Sequence, residues 1–116
     1  MKNANDFFGA SNGSENFYRH SLSKFIYTDG VKSLVRHCKA YWLIDLIISH
    51  QLQDEVKKES FQVWDLHRAK DDEFTIICTD GNHNKVTHQD IPFSDFPYDL
   101  ATLWLVDTCL MLPKEY

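Results

Sequence analysis

The 116-residue sequence has few of the features that mark disulfide scaffolds, phosphate loops or membrane spans. Its three cysteines are far apart and unpaired in spacing, which excludes a disulfide framework and favours a reducing cytosol. Its four glycines form neither a G-x-G-x-x-G nor a P-loop pattern. The longest apolar run, residues 40–51, falls short of the roughly 20 apolar residues that a bilayer span needs. For this reason no membrane partner is expected. A net charge of −5 opposes nucleic-acid binding, so no nucleic-acid partner is expected either.

Aromatic and aliphatic residues are plentiful enough to form the core of one domain. Hydrophobic residues make up 43% of the chain and aromatic residues 14%, which argues against disorder. Residues 1–13 are rich in Asn, Gly and Ser around Phe7 and Phe8, and we predict that they form a flexible N-terminal arm. Because the arm lacks the apolar region of a secretion signal, we expect a cytoplasmic protein. Residues 14–116 are predicted to form a single α+β domain.

The helical patterns lie in the first half of the chain. A short helix is predicted over residues 15–19. Thr28 or Asp29 can cap a second helix, in which apolar residues recur at the spacing of one helix face. Residues 40–51 indicate a buried helix. Residues 29–51 could be one helix or two, and we favour a break between His37 and Lys39.

The second half of the chain has the patterns of β-strands. Residues 61–68, 74–79 and 85–91 alternate or are rich in β-branched side chains, and a bulge is expected between Val63 and Trp64. Residues 98–113 are compatible with a helix, but we favour a hairpin that turns at Asp107 and Thr108. The predicted fold is α+β: two or three N-terminal helices packed on an antiparallel meander sheet of about five strands.

The helix over residues 40–51 contains the residue types of a catalytic triad but not its geometry. Asp45 and Ser49 share a polar stripe, whereas His50 points about 100° away from Ser49. A histidine from elsewhere would have to approach, and His20 and His88 are the candidates. We therefore assign no catalytic residue. The expected partner of Asp45 is a loop backbone group or hydroxyl, such as those of residues 27–30.

A binding role for the same helix is the simpler interpretation. Its polar stripe and neighbouring aromatic residues form the candidate binding site: Tyr41, Trp42, Asp45, Ser49 and His50. The six histidines and three cysteines lack the close pairs of a zinc site. No metal and no cofactor is predicted.

Several short motifs resemble those of a family of small uncharacterised bacterial proteins that share a domain of unknown function. They are YRHS at 18–21, YTDGV at 27–31, AYWLID at 40–45, SHQ at 49–51, FQVW at 61–64, DGN at 80–82 and IPFSDFP at 91–97. The resemblance implies a bacterial protein that also occurs on mobile elements, and it supports the hairpin at residues 107–108. It brings no catalytic residues.

These observations predict a small cytosolic binding or protein-interaction module without catalytic activity. The resemblance further implies an accessory protein of a mobile element. A homo-oligomer or a protein partner is possible, because the last strands are apolar on both faces. The alternative is a small enzyme with a pocket near Asp45 and Ser49 and a histidine from elsewhere in the chain. Whether the protein is an enzyme is left open, with a non-enzyme favoured.

Overall fold

A computed structural model describes residues 2–8, 16–21 and 23–116. Within this part, the largest element is a sheet of seven strands: β1 (Phe17–Arg19), β2 (Ile26–Thr28), β3 (Phe61–Lys70), β4 (Glu73–Thr79), β5 (Lys85–Ile91), β6 (Leu100–Val106) and β7 (Cys109–Met111). Three short α-helices accompany it: α1 (Asp29–His37), α2 (Tyr41–Ser49) and α3 (Asp54–Lys57). Single 3-10 turns span Ala4–Asp6, His50–Leu52 and Pro113–Glu115.

The sheet is mixed, and the predicted fold of N-terminal helices on a five-stranded antiparallel meander is wrong. The strand order is β1-β2-β7-β6-β3-β4-β5, and β2 pairs with β7 in parallel. Strand β6 pairs with β3 and not with β5, its predecessor in sequence. Residues 17–19 of the predicted first helix form β1, which is an edge strand paired with β2. Such long-range pairings leave no trace in local periodicity, so a sequence pattern cannot show them.

The register of β3 also differs from the predicted one. Its pairing with β6 runs without a shift from Phe61 to His67, and the irregularity in its pairing with β4 lies at Arg68 and Lys70. The expected bulge after Val63 is therefore absent from this strand. Gln62, not Val63, shares the buried face with Trp64. A polar residue occupies a core position there because its amide is fully hydrogen-bonded.

The predicted break between the first two long helices is confirmed. Thr28 caps α1 by accepting a hydrogen bond from the N–H of Val31 at 3.3 Å. After α1 ends, Lys39 takes a left-handed backbone angle (φ 54°), and the N–H of Ala40 bonds back to the carbonyl of Val35 at 2.7 Å. This is the usual way in which a helix ends, although glycine is the more common residue at that position.

The hairpin at the end of the chain is confirmed, with Asp107 in the left-handed region (φ 56°) between β6 and β7. Strand β7 is short, and the N-terminal segment lies along the part of β6 that β7 does not reach. The side-chain amide of Asn5 exchanges two hydrogen bonds with the backbone of Thr102, at 2.9 and 2.6 Å. Residues 9–13 of the predicted arm lie outside the described part of the chain.

Candidate functional site

A pocket of about 890 Å³ lies where three separate segments of the chain meet. One wall is the loop between β1 and β2. A second is the outer side of α2 together with residues 51–62, which follow it in sequence. The turn between β6 and β7 completes the lining. Because these three segments are far apart in sequence, the fold is what brings them together.

A chain of three polar side chains crosses one side of the pocket. His20, at the end of β1, places its Nε2 atom 2.8 Å from a carboxylate oxygen of Asp45 on α2. Its other ring nitrogen, Nδ1, lies 2.9 Å from the hydroxyl oxygen of Ser23. The prediction that Asp45 would bond to a loop backbone group or a hydroxyl is wrong. The alternative expectation, that His20 could approach Asp45, agrees with this contact.

The hydrogen bonds around His20 fix the direction of each donor when the imidazole is neutral. An ionised carboxylate can only accept, so the Nε2–H group of His20 donates to Asp45 and Nδ1 is left as an acceptor. The hydroxyl oxygen of Ser23 accepts from the backbone N–H of Phe25 at 3.2 Å. The Ser23 proton can therefore be donated to Nδ1. The His20 side chain is 16% exposed and the Asp45 side chain 70% exposed, so the row of three hydrogen-bonded side chains opens to solvent at Asp45.

Ser49 borders the same pocket, and the two aromatic residues of the predicted site do not. The Ser49 hydroxyl donates to the carbonyl of Leu46 at 2.6 Å, so it is bonded to its own helix. Tyr41 is 45% exposed and Trp42 half-buried at the other end of α2, and neither lines the pocket.

His50 is buried behind the pocket and is held by two glutamines. The Gln53 amide donates to His50 Nδ1 at 2.8 Å, and His50 Nε2 lies 2.7 Å from the side-chain oxygen of Gln89. Its ring also packs 5.4 Å from the indole of Trp64. We infer a structural role for His50, in agreement with its predicted separation from Ser49.

A buried amide network forms the inner wall of the pocket, and the sequence analysis missed it. Gln51 and Gln62 exchange two reciprocal hydrogen bonds of 2.9 Å. The indole N–H of Trp64 donates to the Gln62 side-chain oxygen at 2.9 Å, and the Gln62 amide also reaches the carbonyls of Val56 and Glu59 at 3.0 Å. Because these polar groups are satisfied, they fix the wall at one geometry. The only sequence signal was a glutamine within an apolar strand.

The rim of the pocket combines positive charge with apolar surface. The residues concerned are Lys24, Lys57, Lys58, Phe25, Ile48 and Leu52. In the part of the chain that the structure describes, none of these three lysines has a carboxylate oxygen within 4.0 Å. Asp45, Glu59 and Asp107 also border the pocket, so its formal charge is balanced.

Thiol and metal chemistry have little support elsewhere in the molecule. Burial raises the pKa of Cys38 to about 11 and that of Cys78 to about 12, which suppresses the reactive thiolate. Among residues 2–8, 16–21 and 23–116, no three His, Cys, Asp or Glu side chains cluster in a way that could hold a metal ion.

The described residues form a small, mostly β protein with a mixed sheet and a pocket beside α2 that is lined by polar and apolar side chains. Residues 2–116 match a family model described as a family of unknown function (DUF6876), and the chain belongs to this family. No curated protein and no solved structure matches the chain. Among the described residues, no helix has both the length and the apolar character that a membrane crossing requires.

Proposed function

We propose that the protein is a small binding module whose ligand occupies the pocket beside Asp45. The observation that carries this proposal is the pocket itself. Its volume of about 890 Å³ falls within the range of about 300–1,000 Å³ that is typical of ligand sites. Its wall is rigid and its rim offers both charged and apolar groups. Although three carboxylates balance the formal charge of the pocket, its three lysines have no ion-pair partner among the described residues. A ligand with an apolar body and an anionic group can therefore pair with these lysines and pack on Phe25 and Ile48.

The anionic dye 8-anilinonaphthalene-1-sulfonate tests this proposal, because it combines an aromatic body with one sulfonate. We expect saturable binding of one dye molecule, measured by fluorescence titration. Ser49→Trp fills the pocket from α2 and should abolish this binding. Ser33→Trp is the matched control, since Ser33 is exposed on α1 and does not line the pocket. Equal dye binding by the two variants would contradict the proposal.

The lysines provide a second test of the same site. Lys57 and Lys58 are both exposed, so the double change to Gln should preserve the fold. We expect dye binding to weaken about tenfold and to lose most of its salt dependence, as for charges that act near a surface. Changing Lys70 and Lys85 to Gln removes the same charge away from the pocket and should leave binding unchanged.

A second candidate function, a small enzyme that uses this pocket, rests on the contact between His20 and Asp45. A catalytic role for Asp45 requires an imidazole from another segment, and His20 meets that requirement. A binding module releases its ligand unchanged, whereas an enzyme converts it. Mass spectrometry of small molecules incubated with the protein distinguishes these outcomes.

We also propose a cytoplasmic location, a bacterial origin and an accessory role on a mobile element, which rest on the free cysteines and on the motif resemblance. A homo-oligomer or a protein partner remains a prediction. Sedimentation velocity over a range of protein concentrations would measure self-association.

A further inference from the structure

One of the hydroxyls that line the pocket, that of Ser23, lies within hydrogen-bond distance of an imidazole. Its oxygen lies 2.9 Å from His20 Nδ1, and His20 Nε2 lies 2.8 Å from Asp45. The Asp45 carboxylate selects the tautomer in which Nδ1 carries the free lone pair. His20 is then placed to take the Ser23 proton, which is the arrangement of groups that activates a serine.

We propose that Ser23, His20 and Asp45 form a hydrolytic triad for carboxylic esters that bind in this pocket. The inference rests on the proposed binding function and adds a chemical step to it. Ser23 is the nucleophile, His20 the general base and acid, and Asp45 a positioning residue. In serine proteases the Nε2 atom of the histidine faces the serine, whereas here Nδ1 faces the serine and Nε2 faces the carboxylate. Either ring nitrogen can act as the base, because each is the acceptor in one of the two neutral tautomers.

The reaction balances without any co-reactant other than water. Ser23 Oγ forms a bond to the ester carbonyl carbon while its proton moves to His20 Nδ1. The bond from that carbon to the alcohol oxygen breaks, and His20 returns the proton to the departing alcohol. Water then attacks the acyl-serine, His20 takes a proton from this water, and the proton returns to Ser23 as the acid leaves.

The surroundings of Ser23 fit this role in two ways. The N–H of Phe25 donates to Ser23 Oγ, which favours negative charge on that oxygen. In the proposed triad the N–H of Lys24, the residue that follows the nucleophile, serves as the oxyanion donor. Phe25 and Ile48 supply an apolar surface for the acyl group. The preferred substrate is therefore an ester with an apolar acyl group.

A turn that serves only to close the β1–β2 hairpin would make the same hydrogen bonds, so the decisive experiment measures reactivity. A fluorophosphonate probe reacts with activated serines: the Ser23 oxygen bonds to phosphorus, the phosphorus–fluorine bond breaks, and the serine proton leaves through His20. Intact-mass and peptide mass spectrometry locate the label. We expect one label per chain, on Ser23.

Variants assign the roles. His20→Gln should slow labelling about 100-fold, because the general base is lost. Asp45→Asn should lower the maximal labelling rate at least about tenfold, and Asp45→Glu should recover part of it. His83→Gln removes an exposed imidazole in the turn between β4 and β5 and should have no effect. Ser23→Ala should abolish labelling.

Each outcome decides between the two proposals. Labelling of Ser23 that depends on His20 supports the triad. Dye binding without labelling, or labelling that His20→Gln does not slow, overturns the triad and leaves the binding function in place. Absence of both dye binding and labelling overturns both. If Ser23→Ala does not fold, the location of the label and the effect of His20→Gln still decide the outcome.

Discussion

Replacing Gln62 with leucine tests whether the amide network holds the pocket wall in place. Gln62 is 1% exposed, and its side chain accepts from Trp64 and exchanges hydrogen bonds with Gln51. Leucine keeps a similar volume but leaves the Trp64 N–H and the Gln51 amide without these partners. Each buried unsatisfied group costs about 1–3 kcal/mol, so we expect Gln62→Leu to lower the free energy of unfolding by about 2–6 kcal/mol. That is a large part of the roughly 5–15 kcal/mol of a typical domain.

Urea unfolding followed by far-ultraviolet circular dichroism measures this loss without relying on the indole of Trp64. Gln53→Leu is the comparison, because it removes the Gln53–His50 hydrogen bond at a half-buried position. It should cost only about 0.5–1.5 kcal/mol. Changing both Gln51 and Gln62 to leucine removes both partners of the reciprocal pair. The loss in free energy of unfolding should then be at least about 1 kcal/mol smaller than the sum of the two single losses.

Two results would refute the role given to this network. One is a Gln62→Leu protein within about 0.5 kcal/mol of the natural chain, the range of ordinary surface substitutions. The other is strict additivity of the Gln51 and Gln62 changes, which would show that the two amides do not depend on each other.

Three further predictions concern other parts of the fold. A Cβ on Gly30 would lie 2.6 Å from the Glu115 carboxylate, the flexible end of that side chain, and would displace it from the Thr28 hydroxyl and the Gly30 N–H. Gly30→Ala should therefore cost about 0.5–1.5 kcal/mol in urea unfolding and less in a Glu115→Ala background, and equal costs would contradict this. The pKa of Asp99 is lowered from 3.8, chiefly by the backbone N–H of Lys2, so the stability that Asp99 contributes is present above pH 3.8 and lost as the pH falls through the lower folded-state pKa. Asp99→Asn should therefore flatten the pH dependence of the urea midpoint below about pH 4, and an unchanged slope would refute the reasoning. Burial raises the pKa of Cys78 to about 12, so disulfide exchange at about pH 8 should modify this thiol at least about 100-fold faster in urea than in the native protein. Mass spectrometry of the modified peptides measures both rates, and similar rates would show that the reasoning is wrong.

Local signals predicted several elements correctly because each depends on neighbours in sequence. The β-branched run at residues 74–79 forms most of β4, and the Asp107–Thr108 turn joins β6 to β7. The helix break after His37 depends on the left-handed conformation of Lys39, which lies within the predicted interval. The pairings of β1, β2 and β6 could not be predicted, since they join segments that are distant in the chain.

The candidate site was predictable only in part, for the same reason. Asp45 and Ser49 stood out as polar residues on an apolar helix, and both border the pocket. The contact of His20 with Asp45 depends on where the β1–β2 hairpin lies, and nothing in the local pattern fixes that position. The predicted bulge between Val63 and Trp64 is absent because the hydrogen bonds of the Gln62 amide allow a polar side chain on the buried face.

Substitutions in the wall of the pocket and substitutions at its rim give different kinds of evidence about function. Gln62 and Trp64 are buried, so a loss of binding on their substitution would follow from a change in stability as readily as from a change in the site. Lys57, Lys58 and Asp45 are exposed, and substitution at exposed positions usually changes stability by less than about 0.5 kcal/mol. A change in binding or labelling at the rim therefore reports on the site itself. For this reason the lysine and Asp45 variants, and not those of the glutamine network, decide what the pocket does.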